Sequence, residues 1–113
     1  MRSVVKRPQA KRDIMEQADY IAKDSMKSSE RFLRATDKTM HQIAAMPGIG
    51  VLRDFDNPEL AGMRMVPVSG FPKVGIYYLA TEDTIEIVRV LHGARDIASI
   101  FAPDKSEENT EDE

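Results

Sequence analysis

The sequence predicts an α+β domain in which a helical hairpin packs on a small, mostly antiparallel sheet. Two amphipathic segments follow each other in the first half of the chain, and strand-like segments rich in Val, Ile and Tyr follow in the second half. Helices and strands that are grouped rather than alternating are typical of this fold class. With a short strand before the helices, the predicted order is β-α-α-β-β-β followed by a short terminal helix.

The helical hairpin follows a predicted strand at residues 3–7. Pro8 suits the first turn of the first helix, residues 8–24, because its missing N–H costs little at that position. The second helix, residues 28–46, ends at the Pro47-Gly48 pair. Each helix has an apolar stripe at helical spacing, made of Ile14, Ala18 and Ile21 in the first and Phe32, Thr36, Met40 and Ile43 in the second. The residues assigned to the polar face of the first helix are Arg12, Asp13, Glu16, Gln17 and Lys23.

The strongest strand signal is a hairpin whose two apolar runs, residues 74–80 and 85–91, flank a polar turn at residues 81–84. Only Glu86 and Arg89 interrupt the second run. A strand with so few polar residues is usually covered on both faces, so we expect it to lie inside the sheet.

A loop at residues 48–61, a strand at residues 63–68 and a short helix at residues 94–101 complete the predicted domain. Pro67 lacks an N–H group, which places its strand at a sheet edge or a bulge. Gly93 is expected to turn the chain sharply out of the central strand, because glycine adopts backbone angles closed to other residues. The apolar residues expected to dock the last helix onto the domain are Ile97, Ile100 and Phe101.

The charges divide the chain into a folded domain, residues 1–103, and an acidic tail, residues 104–113. The net charge is −3, but the tail holds six acidic residues and one lysine, which leaves 15 basic and 13 acidic residues in the domain. Because the tail has almost nothing to bury, we expect it to be disordered and dispensable for folding. The slightly basic body is compatible with a nucleic-acid-linked target and equally with an ordinary solvated surface.

Several functional classes are disfavoured by what the sequence lacks. It has no cysteine, no secretory signal and no apolar run near the roughly 20 residues that span a bilayer, so we expect a cytoplasmic protein without membrane partners. It contains no P-loop, GxGxxG, HExxH or GxSxG motif. We therefore predict neither a metal site nor a cofactor.

Two groups of polar residues are candidates for chemistry. His92 ends the central strand and could act as a general base, although packed or capping roles are commoner for such a residue. Arg64, Lys73 and Arg89 would converge if their strands are neighbours and share a face, and with Arg95 they would suit a phosphate or carboxylate. The alternative is that these cations form salt bridges to Glu86, Asp96 or Glu59.

Five segments carry a pattern that is specific when they are taken together. They are V-x-x-P-Q-A-x-x-D-I (residues 5–14), D-Y-I-A (19–22), MPGIG…RDF…NPELAGMR (46–64), F-P-K (71–73) and, most specific, I-E-I-V-R-V-L-H-G-A-R-D (85–96). Together they resemble the ParE toxins of type II toxin–antitoxin modules. The resemblance runs from Val4 to about Phe101, omits only the acidic tail, and implies the RelE/ParE fold.

The resemblance also implies partners, and residues of this chain are candidates for binding them. It implies DNA gyrase as the target, a ParD-type antitoxin that lies along the toxin, and no sequence-specific nucleic-acid binding by the toxin alone. The residues expected to contact the target are His92, at the end of the central strand, and Arg95 and Asp96, in the terminal arm (residues 93–101). The residues beside which the antitoxin is expected to bind are Ile14, Ile21 and Met40, because one small sheet need not cover both apolar stripes.

The RelE branch of the same superfamily implies a different activity, ribosome-dependent cleavage of mRNA. It uses basic residues on the sheet and an acid–base residue near the C-terminus. In this chain such a reaction would use Arg64, Arg89 and His92. The end reads HGARDIASIF and lacks the Lys/Arg-dense, Tyr-bearing end of RelE, which favours gyrase inhibition without catalytic residues. Ribosome-dependent cleavage of mRNA is the alternative to gyrase inhibition.

Overall fold

The computed structural model describes residues 1–103, so the predictions made for the acidic tail lie outside the described residues. In chain order the elements are β1 (Ser3–Lys6), α1 (Pro8–Ala22), α2 (Met26–Ala45), β2 (Val51–Leu52), a 3₁₀ turn (Pro58–Leu60), β3 (Arg64–Val68), β4 (Phe71–Ala80), β5 (Thr84–His92) and α3 (Ile97–Phe101).

The strands form one sheet in the order β1-β5-β4-β3-β2, which confirms the predicted α+β fold with a mostly antiparallel sheet. β1 pairs with β5 in parallel, with Val4 opposite Ile85, and the other pairings are antiparallel. β5 therefore lies between β1 and β4, inside the sheet, as its lack of polar residues predicts. The sequence does not predict β2, because a strand of only two residues is too short to show an alternating pattern of apolar and polar side chains.

Both faces of β5 are covered, as predicted. Its residues that face the helical hairpin are Ile85, Ile87 and Val90, and those that face the other way are Val88 and Leu91. The second face is closed by α3 and by the loop before β3. The Phe101 ring of α3 lies 4.9 Å from the Tyr77 ring and 5.1 Å from the Phe55 ring, centroid to centroid. The expected docking of α3 onto the body is therefore confirmed.

The helical hairpin buries its two stripes against the sheet. Phe32 and Ile43 of α2 are fully buried, while Ile21 of α1 is only half-buried. The two helices are also fastened directly, because the Ser29 hydroxyl donates a hydrogen bond to the Ala18 carbonyl oxygen at 2.7 Å.

α2 begins earlier than the sequence predicts because of a capping residue. The Ser25 hydroxyl oxygen accepts a hydrogen bond from the Ser28 N–H at 3.1 Å, so the helix starts at Met26 rather than at residue 28. Such a cap satisfies a backbone donor that the first helical turn leaves without a partner.

Two side chains of the sheet fix the loop that leaves α2. The Tyr78 hydroxyl donates to the Pro47 carbonyl oxygen at 2.7 Å and accepts from the Gly50 N–H at 3.0 Å. The Arg64 guanidinium donates to the Gly50 carbonyl oxygen at 2.7 Å. Burial raises the pKa of Tyr78, which keeps its hydroxyl protonated as a donor. The loop comes so close that a Cβ on Gly50 would lie 2.6 Å from the Tyr78 hydroxyl oxygen.

We predict that Gly50→Ala lowers the free energy of unfolding by about 1–3 kcal/mol, because the added methyl group displaces Tyr78 and Arg64. Gly48→Ala is the matched control, since nothing lies within 4 Å of the position of its Cβ. Urea unfolding followed by circular dichroism measures both variants. Equal losses in the two variants would contradict this account of the loop.

Candidate functional site

A buried polar centre joins α1 to β5. Arg89 and Asp13 form a two-pronged ion pair, with Nε 2.7 Å from Oδ2 and Nη2 3.0 Å from Oδ1. The Val90 N–H donates to Oδ2 and the Gln9 amide donates to Oδ1, both at 3.1 Å. The Asp13 side chain is only 2% exposed, so these four hydrogen bonds replace the water that its charge would otherwise need.

The burial of Asp13 corrects its assignment to the polar face of α1. Spacing along a helix cannot distinguish an exposed carboxylate from one that meets a cation on the sheet. The pairing of β4 with β5 shifts between Tyr77 and Tyr78, which leaves Val88 as an extra residue on β5. Such a bulge re-aims the residues beside it, and here Arg89 and the next N–H both reach the carboxylate.

The expected convergence of Arg64, Lys73 and Arg89 is not observed. Arg64 lies opposite Tyr78, and Lys73 is five residues earlier on β4, a separation of about 16 Å at the rise of a strand. The two arginines have different partners, the Gly50 carbonyl oxygen for Arg64 and a carboxylate for Arg89.

The sequence also suggested salt bridges from these cations to Glu86, Asp96 or Glu59, and none of them forms within residues 1–103. Glu86 pairs with Arg7 at 2.8 Å, an ion pair whose side chains are 40% exposed for Arg7 and 37% for Glu86. The hydrogen bond from Arg7 lowers the pKa of Glu86. Because Arg7 follows β1, this pair links the two parallel strands at the surface.

His92 ends β5 opposite Val74, next to the start of the terminal arm. Its Nδ1 accepts a hydrogen bond from the Ala94 N–H at 3.0 Å, which fixes the ring and leaves Nε2 free to donate. Within residues 1–103 no carboxylate bonds to His92, so the described part of the chain gives this ring no acid–base partner.

The terminal arm leaves β5 without special backbone angles at Gly93, so that prediction is wrong. Of the six glycines, all in the described part of the chain, only Gly62 and Gly70 have positive φ. A hydrogen bond from the Gly93 N–H to the Lys73 carbonyl oxygen at 2.7 Å continues the pairing of β5 with β4, and the turn that follows is closed by a hydrogen bond from the Arg95 N–H to the His92 carbonyl oxygen at 3.0 Å.

Asp96 and Arg95 have different surroundings in the arm. The Asp96 carboxylate accepts hydrogen bonds from the Ser99 hydroxyl at 2.6 Å and the Ser99 N–H at 3.3 Å, which lower its pKa. Asp96 thereby caps α3, and the helix begins at Ile97 rather than at residue 94. Arg95 is exposed, and its guanidinium makes neither a hydrogen bond nor an ion pair within residues 1–103.

A groove of about 540 Å³ lies beside the arm, on the sheet face away from the helices. We call it the basic groove, and the residues that define it are Arg53, Lys73, Tyr77, Leu91, His92 and Ile97. Arg53 stacks over two rings, with its guanidinium 5.1 Å from the Phe55 centroid and 5.7 Å from the Tyr77 centroid. The sequence reasoning missed Arg53, because a residue in a loop has no periodicity to mark its direction.

A second groove, the hairpin groove, follows the seam between α1 and α2 and has a volume of about 310 Å³. Ile14 and Met40 reach it but are only 8% and 3% exposed, because the sheet covers their stripes more fully than predicted. The accessible apolar surface comes instead from Met15 and Leu33, which are 53% and 36% exposed. Ile21 lies outside this groove, beside Phe71 and Val74 at the end of the sheet.

Two negative findings concern the described part of the chain. Among residues 1–103, no group of three or more His, Asp or Glu side chains could hold a metal ion. No helix there is long and apolar enough to cross a membrane.

A helical hairpin on a five-stranded mixed sheet, with a short C-terminal helix docked on the open face, defines a protein of the RelE/ParE fold class. The sequence matches the family described as ParE toxin of type II toxin-antitoxin system, parDE, over residues 4–97. The chain therefore belongs to the ParE toxin family, which confirms the resemblance seen in its motifs.

A solved structure with the same fold is a chain of the chromosomal ParDE toxin–antitoxin system from P. aeruginosa. The two chains share 15% sequence identity and align with a TM-score of 0.64, over 81% of this chain and 96% of that chain. At this identity the likeness shows the fold alone. No curated protein matches the sequence.

We predict that Asp13→Asn lowers the free energy of unfolding by roughly 3–5 kcal/mol, because it leaves the largely buried Arg89 without its counter-charge. Glu86→Gln removes the same charge from the exposed pair with Arg7 and should cost only about 0–1 kcal/mol. Urea unfolding of both variants tests the difference. A loss below 1 kcal/mol in Asp13→Asn would show that the pair contributes little to stability.

Proposed function

We propose that this member of the ParE toxin family inhibits DNA gyrase by binding it in the cytoplasm, and that a ParD-type antitoxin neutralises it. The observation that carries the proposal is the terminal arm, which is fixed on the sheet at both ends and yet presents Arg95 without a partner in the described residues. Membership of the family supports the role of toxin.

The arm supports recognition of a protein surface because its contacts hold it in one conformation. The Ala94 N–H is bonded to His92, Asp96 caps α3, and Phe101 is buried between aromatic rings. A segment that is ordered before binding loses little conformational entropy when its partner arrives. Arg95 can then offer a planar, permanently charged fork to carboxylates of the target.

The three residues proposed to meet gyrase would act in different ways. Arg95 is the proposed direct contact, and His92, three residues earlier, offers its Nε2, which has no hydrogen-bond partner within residues 1–103. The Asp96 carboxylate is exposed and accepts two hydrogen bonds from Ser99, so it would hold the arm in shape and meet the target with its remaining acceptor sites.

Ribosome-dependent mRNA cleavage by Arg64, Arg89 and His92 is the competing function. Arg64 holds the loop after α2, and Arg89 neutralises Asp13, so both guanidinium groups have structural partners. An acid–base route needs a positioned acid and base. These contacts favour a protein inhibitor over a nuclease.

For the antitoxin, we propose that an amphipathic segment lies in the hairpin groove. Met15 and Leu33 would make the direct apolar contacts, with Ile14 and Met40 beneath them. Ile21 would contact the antitoxin only where the segment extends beyond this groove to the end of the sheet.

We predict that Arg95→Ala raises the toxin concentration needed to inhibit gyrase about 30-fold or more, as expected when a charged contact is truncated at an interface. A supercoiling assay with purified proteins measures the inhibition. The melting temperature should not change, because Arg95 has no side-chain bond in the described structure. Expression of this variant without antitoxin should also permit growth.

Arg34→Ala is the matched control, since Arg34 is an exposed arginine on α2, away from the arm. It should inhibit gyrase like the parent protein. A folded Arg95→Ala protein that still inhibits gyrase would move the target surface elsewhere. Codon-specific cuts in a ribosome-programmed assay that are lost in His92→Ala would establish the nuclease instead.

We predict that the antitoxin raises the melting temperature of the toxin in a concentration-dependent way, because it binds only the folded state. Met15→Glu together with Leu33→Glu should greatly reduce this shift. Met26→Glu provides the control, since Met26 is 65% exposed but lies outside the hairpin groove. Thermal scans at increasing antitoxin concentration measure the effect, and an equal shift in all variants would exclude the hairpin groove.

A further inference from the structure

We infer that the basic groove is a second part of the target-binding surface and takes an extended acidic segment of the target protein. The segment has the pattern acid-x-apolar-x-acid, with one carboxylate at each end of the groove. This inference rests on the proposed function, because the groove adjoins the arm that carries Arg95. Ala94 and Ile97, on either side of Arg95 in the chain, both line it.

Each end of the groove holds a cation. Lys73, which is exposed, lies at one end, and the Arg53 guanidinium lies at the other, 5.7 Å from the centroid of the Tyr77 ring. Within residues 1–103, neither cation has an ion-pair partner, and none of the residues that line the groove is acidic. A carboxylate at either end would therefore meet a positive charge that the described residues do not neutralise.

Arg53 is held in place before any partner arrives. Its guanidinium stacks over the rings of Phe55 and Tyr77, so little conformational entropy is lost when a carboxylate binds to it. Stacking occupies the face of the guanidinium and leaves the N–H groups at its edge to form a two-pronged contact.

The middle of the groove is apolar. Gly75 of β4 lies opposite Leu91 of β5. The Met65 side chain lies over Gly75, since a Cβ on that glycine would be 3.0 Å from the Met65 sulfur. Ile97 lines the same space from α3. An apolar side chain between the two carboxylates would therefore pack against Met65 and Ile97, both of which are half-buried.

The spacing of the two cations matches an extended segment. Lys73 and Tyr77 are four residues apart on β4, about 13 Å at the rise of a strand. Residues i, i+2 and i+4 of an extended segment face the same side, and the first and last are also about 13 Å apart. Residues i, i+2 and i+4 would then lie against Lys73, Met65 and Arg53 in turn.

A neighbouring groove at the end of α3 shows the contrast. It is lined by Arg7 and Arg89, but both are already paired with carboxylates, of Glu86 and Asp13 respectively. Glu59 lines it as well. An acidic segment would gain little there, because the cations are already neutralised.

The basic groove fits a peptide better than a single-stranded nucleic acid. Proteins that bind single strands without sequence preference stack the bases on aromatic side chains. The aromatic residue among those that line this groove is Tyr77, which is 2% exposed and lies beneath the Arg53 guanidinium. The groove therefore offers charge and aliphatic surface but no accessible ring face for a base.

Two peptides of identical composition test the spacing on the full chain. With blocked termini, GSESLSESG has its glutamates two residues on either side of the leucine, and GSEELSSSG has them side by side. We expect the first to bind about tenfold more tightly, as for one additional charge-assisted hydrogen bond, and to shift the amide signals of Arg53, Gly75 and Ala94 in nuclear magnetic resonance spectra. Equal affinities, or no shift of these signals at millimolar peptide, would overturn the inference.

Substitutions of the two cations test the site itself. Lys73→Gln and Arg53→Gln should each weaken binding of GSESLSESG about tenfold. Lys73 is exposed, so its variant keeps the test valid if the loss of Arg53 disturbs the packing of the two rings. Arg34→Gln, which removes the same charge from the exposed face of α2, should leave the affinity unchanged. Equal affinities in all three variants would contradict the assignment.

An oligothymidylate of about six nucleotides is the probe for the competing occupant. We expect it to bind more weakly than GSESLSESG. Tighter binding of the oligothymidylate that is lost in Lys73→Gln would make nucleic acid the occupant and overturn the inference.

A supercoiling assay separates this inference from the proposed function. Lys73→Gln should raise the toxin concentration needed to inhibit gyrase about tenfold. Inhibition that is the same in the parent protein and in Lys73→Gln would refute the groove as part of the target surface and leave the proposed target standing. Peptide binding in the groove with no inhibition of gyrase by the parent protein would refute the proposed target and leave the groove established as a site for acidic segments.

Discussion

The ion pair between Asp13 and Arg89 is the contact on which the rest of the structure depends. It ties α1 to β5, the strand that pairs with β1 on one side and β4 on the other. A buried carboxylate is unfavourable unless it is neutralised and hydrogen-bonded, and any other register of β5 would remove both the guanidinium and the Val90 N–H from reach. We interpret the pair as selecting one placement of the helical hairpin on the sheet.

The second requirement is that β5 be covered on the face away from the helices. That cover comes from α3 and the loop before β3, which meet through Phe101, Tyr77 and Phe55. The same segment that closes the core also carries Arg95 and forms one wall of the basic groove. Packing and recognition are therefore coupled, since whatever loosens α3 also displaces the residues proposed to meet the target.

The sequence predicts the fold well because its strongest signals are periodic. The stripes of α1 and α2 and the nearly apolar run of β5 each mark which way a residue faces, and the structure confirms them. The site is predicted less completely, because it depends on contacts between distant segments. The burial of Asp13 follows from a bulge in the pairing of β4 with β5, and Arg53 is oriented by two aromatic rings. Neither contact leaves a pattern in the local sequence.

The parallel pairing of β1 with β5 has a consequence for synthesis. Ser3 lies opposite Thr84, so the first strand has no partner until most of the chain has been made. Contacts between such distant residues form slowly, because a long loop must close before they stabilise anything. The counter-charge of Asp13 arrives at the same late stage. A nascent chain that stops before β5 therefore lacks the strand that joins β1 and α1 to the rest of the sheet, so the fold of the toxin is completed only after most of the chain has been synthesised.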